Sequence, residues 1–430
     1  MVTGRANLFP EIRLVALASG CAWAIGTNWL GDWYYPIRGI SWGDLLFVGW
    51  LLIALSDRKR RDELLRTLWT LRIHVLLLTI FVTLLLVSMA VNAYRFGAQE
   101  NNVLAILRLL YFIAIVWFVC QVVQLHGYLS VLCGFLTGVL LLALGELYYA
   151  RASGAVVVAG IIVLRDPNVI GNMLGVAVLL CSLGVLAGYV RASLIAAIVF
   201  AAISLMTFSK GTWLMVLVGL AANAIAWFIL FRRTKGNFNK IIPATAAIVL
   251  AFGWLVYENA ELLSELVNTK IESTYDVGSA EFRYRFALAA LHAMEDHPIW
   301  GLGFGNYPQV ERLYPSIMPE PSENAHNAFF QIAAVGGLPA LVVLLSLFVY
   351  PFIPLWHVVR ARSTRSLTII YISLAFLVFA LSGSVQLQLI AQPFFWVFTG
   401  IACGWRARLQ PPTVGIQSVR LPGLVPQLRQ

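Results

Sequence analysis

The sequence has little charge for its length. Charged residues make up 12% of its 430 residues, against about 25% in an average soluble domain. Hydrophobic residues make up 60%, and they come in blocks of about 17–25 residues, each long enough to cross a bilayer as a helix. A helix satisfies its own backbone hydrogen bonds inside lipid. The sequence therefore excludes an ordinary soluble protein and predicts an all-α, polytopic membrane protein.

Cysteine is scarce, and no pattern of metal ligands stands out. The five cysteines lie in apolar stretches, are odd in number and form no Cys-x-x-Cys pair, which argues against a disulfide framework. His292 and His297 stand close to Glu295 and Asp296. Their five-residue spacing does not place both imidazoles on one helical face, where four would serve. We therefore expect no metal and no cofactor.

The net charge of +10 raises the question of nucleic acid. No basic module interleaved with aromatics is present, so we expect no nucleic-acid partner. The basic residues instead concentrate in short loops, as membrane insertion requires on the cytoplasmic side. These loops lie at Arg58–Arg61, Arg191, Arg232–Lys235, Arg360–Arg365 and Arg406–Arg408.

About twelve transmembrane helices are predicted. Residues 1–257 are expected to hold the first nine, 258–325 to form an outward segment with helical structure, 326–405 to hold the last three, and 406–430 to form a tail. The positive-inside rule then places both termini in the cytoplasm. No cleavable signal pattern is present, so the first apolar block is expected to remain as a helix. The predicted spans are about 14–30, 39–56, 72–92, 103–122, 127–148, 168–188, 192–208, 211–231, 241–257, 326–354, 366–384 and 390–405.

Several cations fall on the predicted outer side, against the insertion rule. Arg165 lies in a connector, Lys210 in a turn, and Arg283 and Arg285 in the outward segment. Since orientation does not require these charges, we expect them to have a function. Arg108 falls inside the fourth predicted span, which indicates either a functional site or a side chain that snorkels to the outer interface.

The stretch from Glu281 to Ala340 is the most informative. Residues 282–295 predict an amphipathic helix stopped by Pro298. Gly301, Gly303 and Gly305 follow. No βαβ unit surrounds them, so a dinucleotide fingerprint is rejected. Two interpretations stay open, a tight turn with positive φ and a loop whose exposed N–H groups contact a phosphate or a sugar. The helix is expected to pack through its apolar positions, which are Phe282, Phe286, Ala289, Ala290 and Ala293.

A second polar stretch, residues 322–327, directly precedes the tenth predicted span. Ser322 or Asn324 is the expected N-cap, which would put His326 in the first helical turn. The helix dipole there disfavours imidazolium, and neutral imidazole is the form that accepts a proton. A structural histidine is the alternative.

These motifs resemble the O-antigen ligase family. The resemblance rests on Arg283, on His297-Pro298-Ile-Trp-Gly301-Leu-Gly303, on Asn306-Tyr307, and on His326-Asn327 with Gly337 ten residues later. Upstream, Asp166-Pro167-Asn168-Val-Ile-Gly171-Asn172 and Thr207-Phe208-Ser209-Lys210-Gly211 are similar to further family motifs. Ala287 and Ala340 depart from the ligase pattern.

The resemblance implies transfer of a glycan from undecaprenyl diphosphate to a sugar of lipid A–core at the periplasmic face of the bacterial inner membrane. His326, Arg283 and Lys210 would be catalytic, with His326 as the base and the cations on the diphosphate. No Asp-x-Asp pair lies on the outer side, so we expect a metal-independent, inverting displacement. Glu323 either orients His326 or a sugar hydroxyl, or serves as a charge at the helix start. The expected substrate-binding residues are Arg165, Arg285, Glu323, Asn327 and Arg108.

Three alternatives stay open. An O-antigen polymerase of the same superfamily would join two glycans that are both carried on a lipid diphosphate. A secondary transporter would be expected to show matched repeats and interrupted helices, and the sequence shows no convincing repeat. A scaffold without catalysis leaves the outward cations unexplained.

Overall fold

The computed structural model describes most of the predicted membrane region. The described ranges are 9–26, 42–96, 100–152, 157–158, 161–162, 167–186, 190–205, 279–318, 325, 327–350 and 393–409, with short pieces at 212, 215–217, 219–221, 246, 250, 253–254, 257 and 353.

The described chain is helical, which confirms the all-α prediction. One very short antiparallel pair, β1 (Val157–Val158) with β2 (Ile161–Ile162), is the exception among the described residues. The helices, in chain order, are α1 Ile12–Gly26, α2 Trp42–Ser56, α3 Arg58–Thr70, α4 Arg72–Phe96, α5 Glu100–His126, α6 Leu129–Ala152, α7 Pro167–Leu186, α8 Val190–Leu205, α9 Ser279–Asp296, α10 Gln309–Leu313, α11 Ala328–Val349 and α12 Pro393–Leu409.

Two of the described helices, α4 and α11, are long and apolar enough for a complete membrane crossing. They have 25 and 22 residues, and a helix rises about 1.5 Å per residue against a hydrocarbon core of about 30 Å. Large apolar side chains such as Leu76 and Val91 on α4 point outward, as a lipid-facing surface requires. The total of about twelve spans stays a prediction, and the predicted spans 211–231, 241–257 and 366–384 lie mostly outside the described residues.

Two pairs of glycines allow close packing of α6 against α1 and of α12 against α5. A Cβ on Gly134 or Gly138 of α6 would lie 2.3 Å from a carbonyl oxygen of α1, so only glycine allows this approach. Gly400 and Gly404 of α12 press in the same way against α5, where a Cβ would lie 2.7 Å from Val119 or Val123. Both pairs have the Gly-x-x-x-Gly spacing that lets transmembrane helices approach closely.

The segment that was predicted to face outward contains α9, a helix that the sequence predicted correctly. The predicted helix 282–295 is observed as Ser279–Asp296, and the chain turns at Pro298. Phe286, Ala289, Ala290 and Ala293 are buried, and α9 packs against α11. The predicted apolar face is confirmed at these positions, while Phe282 is partly buried.

Candidate functional site: a broken helix and the loop that closes it

Helix α11 is interrupted in the middle. Gly337 has φ 75° and ψ −179°, a combination found essentially only in glycine. Pro339 follows two residues later and has no N–H to donate. The Leu338 N–H donates to Pro298 O at 2.8 Å instead of to Ala334 O in its own helix. The carbonyls of Ala334 and Val335 therefore need donors from elsewhere, because a buried carbonyl without a partner is costly.

The loop after α9 supplies those donors. Leu302 N–H donates to Ala334 O at 2.9 Å, and Gly303 N–H donates to Val335 O at 3.0 Å. A Cβ on Gly301 would lie 2.5 Å from the Val335 carbonyl carbon, so the loop can approach the break only with glycine there. We use the name clamp for three parts together: the loop at 297–303, the break at 334–338, and two side chains of α4, Ser88 and Asn92.

Helix α4 completes the clamp with two polar side chains. Ser88 Oγ lies 2.5 Å from Trp300 O and 2.7 Å from Val335 O, within reach of donating to either. Asn92 Nδ2 lies 3.2 Å from Gly301 O and 2.9 Å from Ser88 O. Both side chains are buried. Sequence reasoning missed them, although two polar residues four apart on one face of an apolar helix were a usable signal.

The glycine run is therefore structural. Gly301, Gly303 and Gly305 have φ values of 58°, 95° and 89°, which confirms the predicted tight turn. The alternative of exposed N–H groups that contact phosphate is wrong for Gly301 and Gly303. Both are buried, and their N–H groups donate to His297 O and Val335 O.

The two arginines of α9 differ in how their charge is used. Arg285 forms an ion pair with Glu281 one turn earlier, with Nη2 2.5 Å from Oε1. Arg283 is partly buried, and no carboxylate in the described part of the chain pairs with it. A partly buried guanidinium without a counter-ion favours an anion nearby. Arg283 is thus the better candidate for contact with a diphosphate.

The start of α11 differs from the prediction. Asn327 is the N-cap, and its Oδ1 accepts from Phe329 N–H at 2.9 Å and Phe330 N–H at 3.2 Å. The prediction of Ser322 or Asn324 as the N-cap is wrong. Position 326 comes before the N-cap in the sequence, so it does not belong to the first turn of α11. Several residues that can form a cap stand within six positions of the sequence. Of these, Asn327 is the one directly before Ala328, the first buried residue of α11, and it forms the cap. The Asn327 Oδ1 is used by the backbone, and its predicted role in substrate binding would therefore fall to Nδ2.

A cluster at the carboxyl end of α9 surrounds Tyr314. Tyr314 OH donates to Asp296 Oδ2 at 2.5 Å, and its ring stacks on His292, whose Nδ1 lies 3.2 Å from Glu295 Oε2. Partial burial, the bond to Asp296 and the charge of Glu295 raise the pKa of Tyr314. The phenol therefore stays protonated and is not a proton acceptor. Among the described residues, no group of three or more His, Cys, Asp or Glu side chains is placed to hold a metal ion.

The remaining predicted site residues lie outside the described part of the chain. These are His326, Lys210, Arg165 and Glu323, together with the side chain of Arg108 on α5. The structure thus brings together α9 with its arginines, the clamp and the capped start of α11. It leaves the convergence of Lys210 and His326 with Arg283 as a prediction.

Residues 176–345 match the family model described as O-antigen ligase. This segment belongs to the O-antigen ligase family. The predicted resemblance is confirmed, and the family consists of membrane proteins of the bacterial inner membrane. The match runs from α7 into α11, so it contains α9, the clamp loop and the broken helix, together with positions 210 and 326. Ser88 and Asn92, which complete the clamp, lie outside it. No curated protein matches the chain.

Proposed function

We propose that this protein is a membrane glycosyltransferase that moves an O-antigen glycan from undecaprenyl diphosphate to a sugar of lipid A–core at the periplasmic face. One observation carries the proposal. Arg283, a partly buried cation that pairs with no described carboxylate, lies on α9, and α9 is packed on the broken helix α11, whose capped start directly follows His326 in the sequence.

Cations are needed because the leaving group of the proposed reaction is a negatively charged diphosphate. When the anomeric carbon–oxygen bond of the donor breaks, the diphosphate takes the bonding electrons and gains negative charge. A preorganised guanidinium stabilises such charge more effectively than water does. Arg283 suits this role on α9, with Lys210 and Arg165 as further cations of the outward side. Arg285 ranks below them, since Glu281 already neutralises part of its charge.

The nucleophile is a hydroxyl of the acceptor sugar. His326 takes the proton of that hydroxyl while the hydroxyl oxygen attacks the anomeric carbon from the face opposite the diphosphate. One bond forms and one breaks in a single displacement, so the configuration inverts. Asn327 Nδ2 and Glu323 are the groups beside His326 that would hold a sugar hydroxyl. No step requires a metal.

Purified protein reconstituted with lipid-linked glycan and lipid A–core tests the proposal. A general base contributes about 10²–10⁴-fold, so His326→Ala should lower the transfer rate by that factor. His292→Ala, which removes a partly exposed histidine on α9, is the matched control and should retain activity. Equal rates for the two variants would show that His326 is not the base. Loss of transfer on chelation, restored by a divalent ion, would overturn the metal-independent mechanism.

The same assay separates ligase from polymerase. A ligase extends lipid A–core, whereas a polymerase extends a second glycan on the lipid diphosphate. Ala340, one of the two departures from the ligase pattern, is fully buried. A Cβ on Gly336 would lie 2.8 Å from the Ala340 Cβ. Ala340 therefore packs directly beside the break, and the identity of the acceptor is left to the assay.

A further inference from the structure

Helix α3 is a separate amphipathic helix between α2 and α4. Asp57 caps its start, accepting from Lys59 N–H at 2.8 Å and Arg60 N–H at 3.3 Å. Leu71, with φ −91° and ψ 4°, ends it before α4 begins. Since α4 is one of the membrane-spanning candidates, α3 lies at the end of a span. That is the depth at which lipid headgroups are found.

One face of α3 is fixed against the protein. Leu64, Glu63 and Thr67 are buried, and Trp117 Nε1 donates to Leu64 O at 3.2 Å. Arg60 points to the same side, with Nη1 2.6 Å from Glu11 Oε1. These contacts set the rotation of α3 about its axis, so the opposite face must point away from the protein.

The opposite face combines exposed cations with exposed apolar side chains and one exposed acid, Asp62. Arg58, Lys59 and Arg61 are exposed and make no ion pair with any described residue. Trp69 is 70% exposed and Leu65 is 54% exposed. Arg66 is also exposed, but it pairs with Glu63, with Nη1 3.3 Å from Oε2. Arg72, the first residue of α4, is exposed beside this face, and its guanidinium lies 5.1 Å from the centre of the Trp69 ring.

The position of these charges works against the helix itself. Arg58, Lys59 and Arg61 stand at the first turn of α3, where the positive end of the helix dipole disfavours cations. An acidic surface outside the protein would remove this penalty. Tryptophan and leucine among arginines are typical of helices that lie in the plane of a membrane interface.

We propose that the outer face of α3 binds the headgroups of anionic phospholipids, with Trp69 and Leu65 inserted between them. The charge complementarity and the place of α3 beside α4 favour this occupant. The binding is independent of glycan transfer and anchors the α2–α4 corner to the bilayer surface.

The test uses the full chain reconstituted in bilayers with spin-labelled phosphatidylglycerol or phosphatidylcholine, and measures how strongly the protein immobilises each lipid. Each cation near an anionic surface contributes about fivefold in binding. Arg58→Gln with Arg61→Gln should therefore lower the preference for phosphatidylglycerol by about fivefold per charge, toward parity. Added salt should lower the preference of the wild type in the same direction.

The matched control is Arg95→Gln with Arg312→Gln, which removes two exposed arginines elsewhere and should leave the preference unchanged. The α3 variant should unfold at or slightly above the wild-type temperature, because the removed charges oppose the dipole of α3. Equal lipid preference in wild type and the α3 variant would overturn the proposal. So would displacement of phosphatidylglycerol by inorganic phosphate, which would indicate a site for a free anion.

Discussion

Replacing Gly337 by alanine tests whether the broken helix and its loop form one unit. The φ of 75° with ψ −179° costs a non-glycine residue about 1–3 kcal/mol. The new Cβ would also lie 2.4 Å from Ile299 O and 2.8 Å from Pro298 O, both backbone atoms that cannot turn aside. The loop must then withdraw, and each buried group that loses its partner costs about 1–3 kcal/mol. Because the bond from Leu338 N–H to Pro298 O is lost, we expect a total loss of about 2–6 kcal/mol.

Thermal unfolding of the purified protein in detergent measures this loss, and the transfer assay measures its effect on function. Gly49→Ala is the control, since Gly49 lies within α2 with no atom within 4 Å of the added Cβ. In an open helical position the same change should be neutral or stabilise by about 0.5–1 kcal/mol. If Gly337→Ala unfolds at the same temperature as Gly49→Ala and transfers glycan at the same rate, the account of the clamp is wrong.

Two further predictions follow from individual side chains. Asn92→Leu removes the donor to Gly301 O and should cost about 1–3 kcal/mol, seen as a lower unfolding temperature and a slower transfer; an unchanged temperature would mean that the bond at 3.2 Å does not hold the loop. Arg283→Gln should lower kcat by about 10²–10³-fold, as expected for one group that stabilises developing charge, while Arg285→Gln should have a much smaller effect because Glu281 already pairs with that residue. Initial rates at saturating donor compare the two arginine variants, and equal losses would contradict the distinction between them.

Local periodicity made α9 predictable, whereas the clamp depends on long-range contacts. The apolar positions Phe286 and Ala289 repeat at helical spacing, and Pro298 marks the stop, so nearby residues were enough to predict the helix. The two carbonyls within reach of Ser88 belong to Trp300 and Val335, 212 and 247 residues away. No pattern around position 88 shows where a distant helix will break. Both Gly337 and Pro339 were visible, but the sequence did not show which loop would supply donors to the carbonyls exposed by that break.

The basic run at Arg58–Arg61 shows a different kind of limit. Its charge predicted orientation, and the separate helix α3 was not predicted from it. The cap at Asp57 was a local signal for that helix, but four consecutive cations at a helix start are unfavourable and made a loop the simpler interpretation. Burial of Leu64 and Thr67 stabilises the helix despite these charges.

The break in α11 also ties the segment around α9 to a helix that is long enough to span the membrane. A break in a membrane helix requires replacement donors, because lipid supplies none, and here the loop that follows α9 provides them. Separating this loop from α11 would expose the carbonyls of Ala334 and Val335 as well as the loop's own groups, so the two segments stay together. Asn327 lies ten residues before the break, about 15 Å along a helix, and α9 packs against α11. In the proposed reaction, these hydrogen bonds and the packing of α9 on α11 would hold Arg283 in place before a substrate binds, as electrostatic stabilisation of a leaving diphosphate requires.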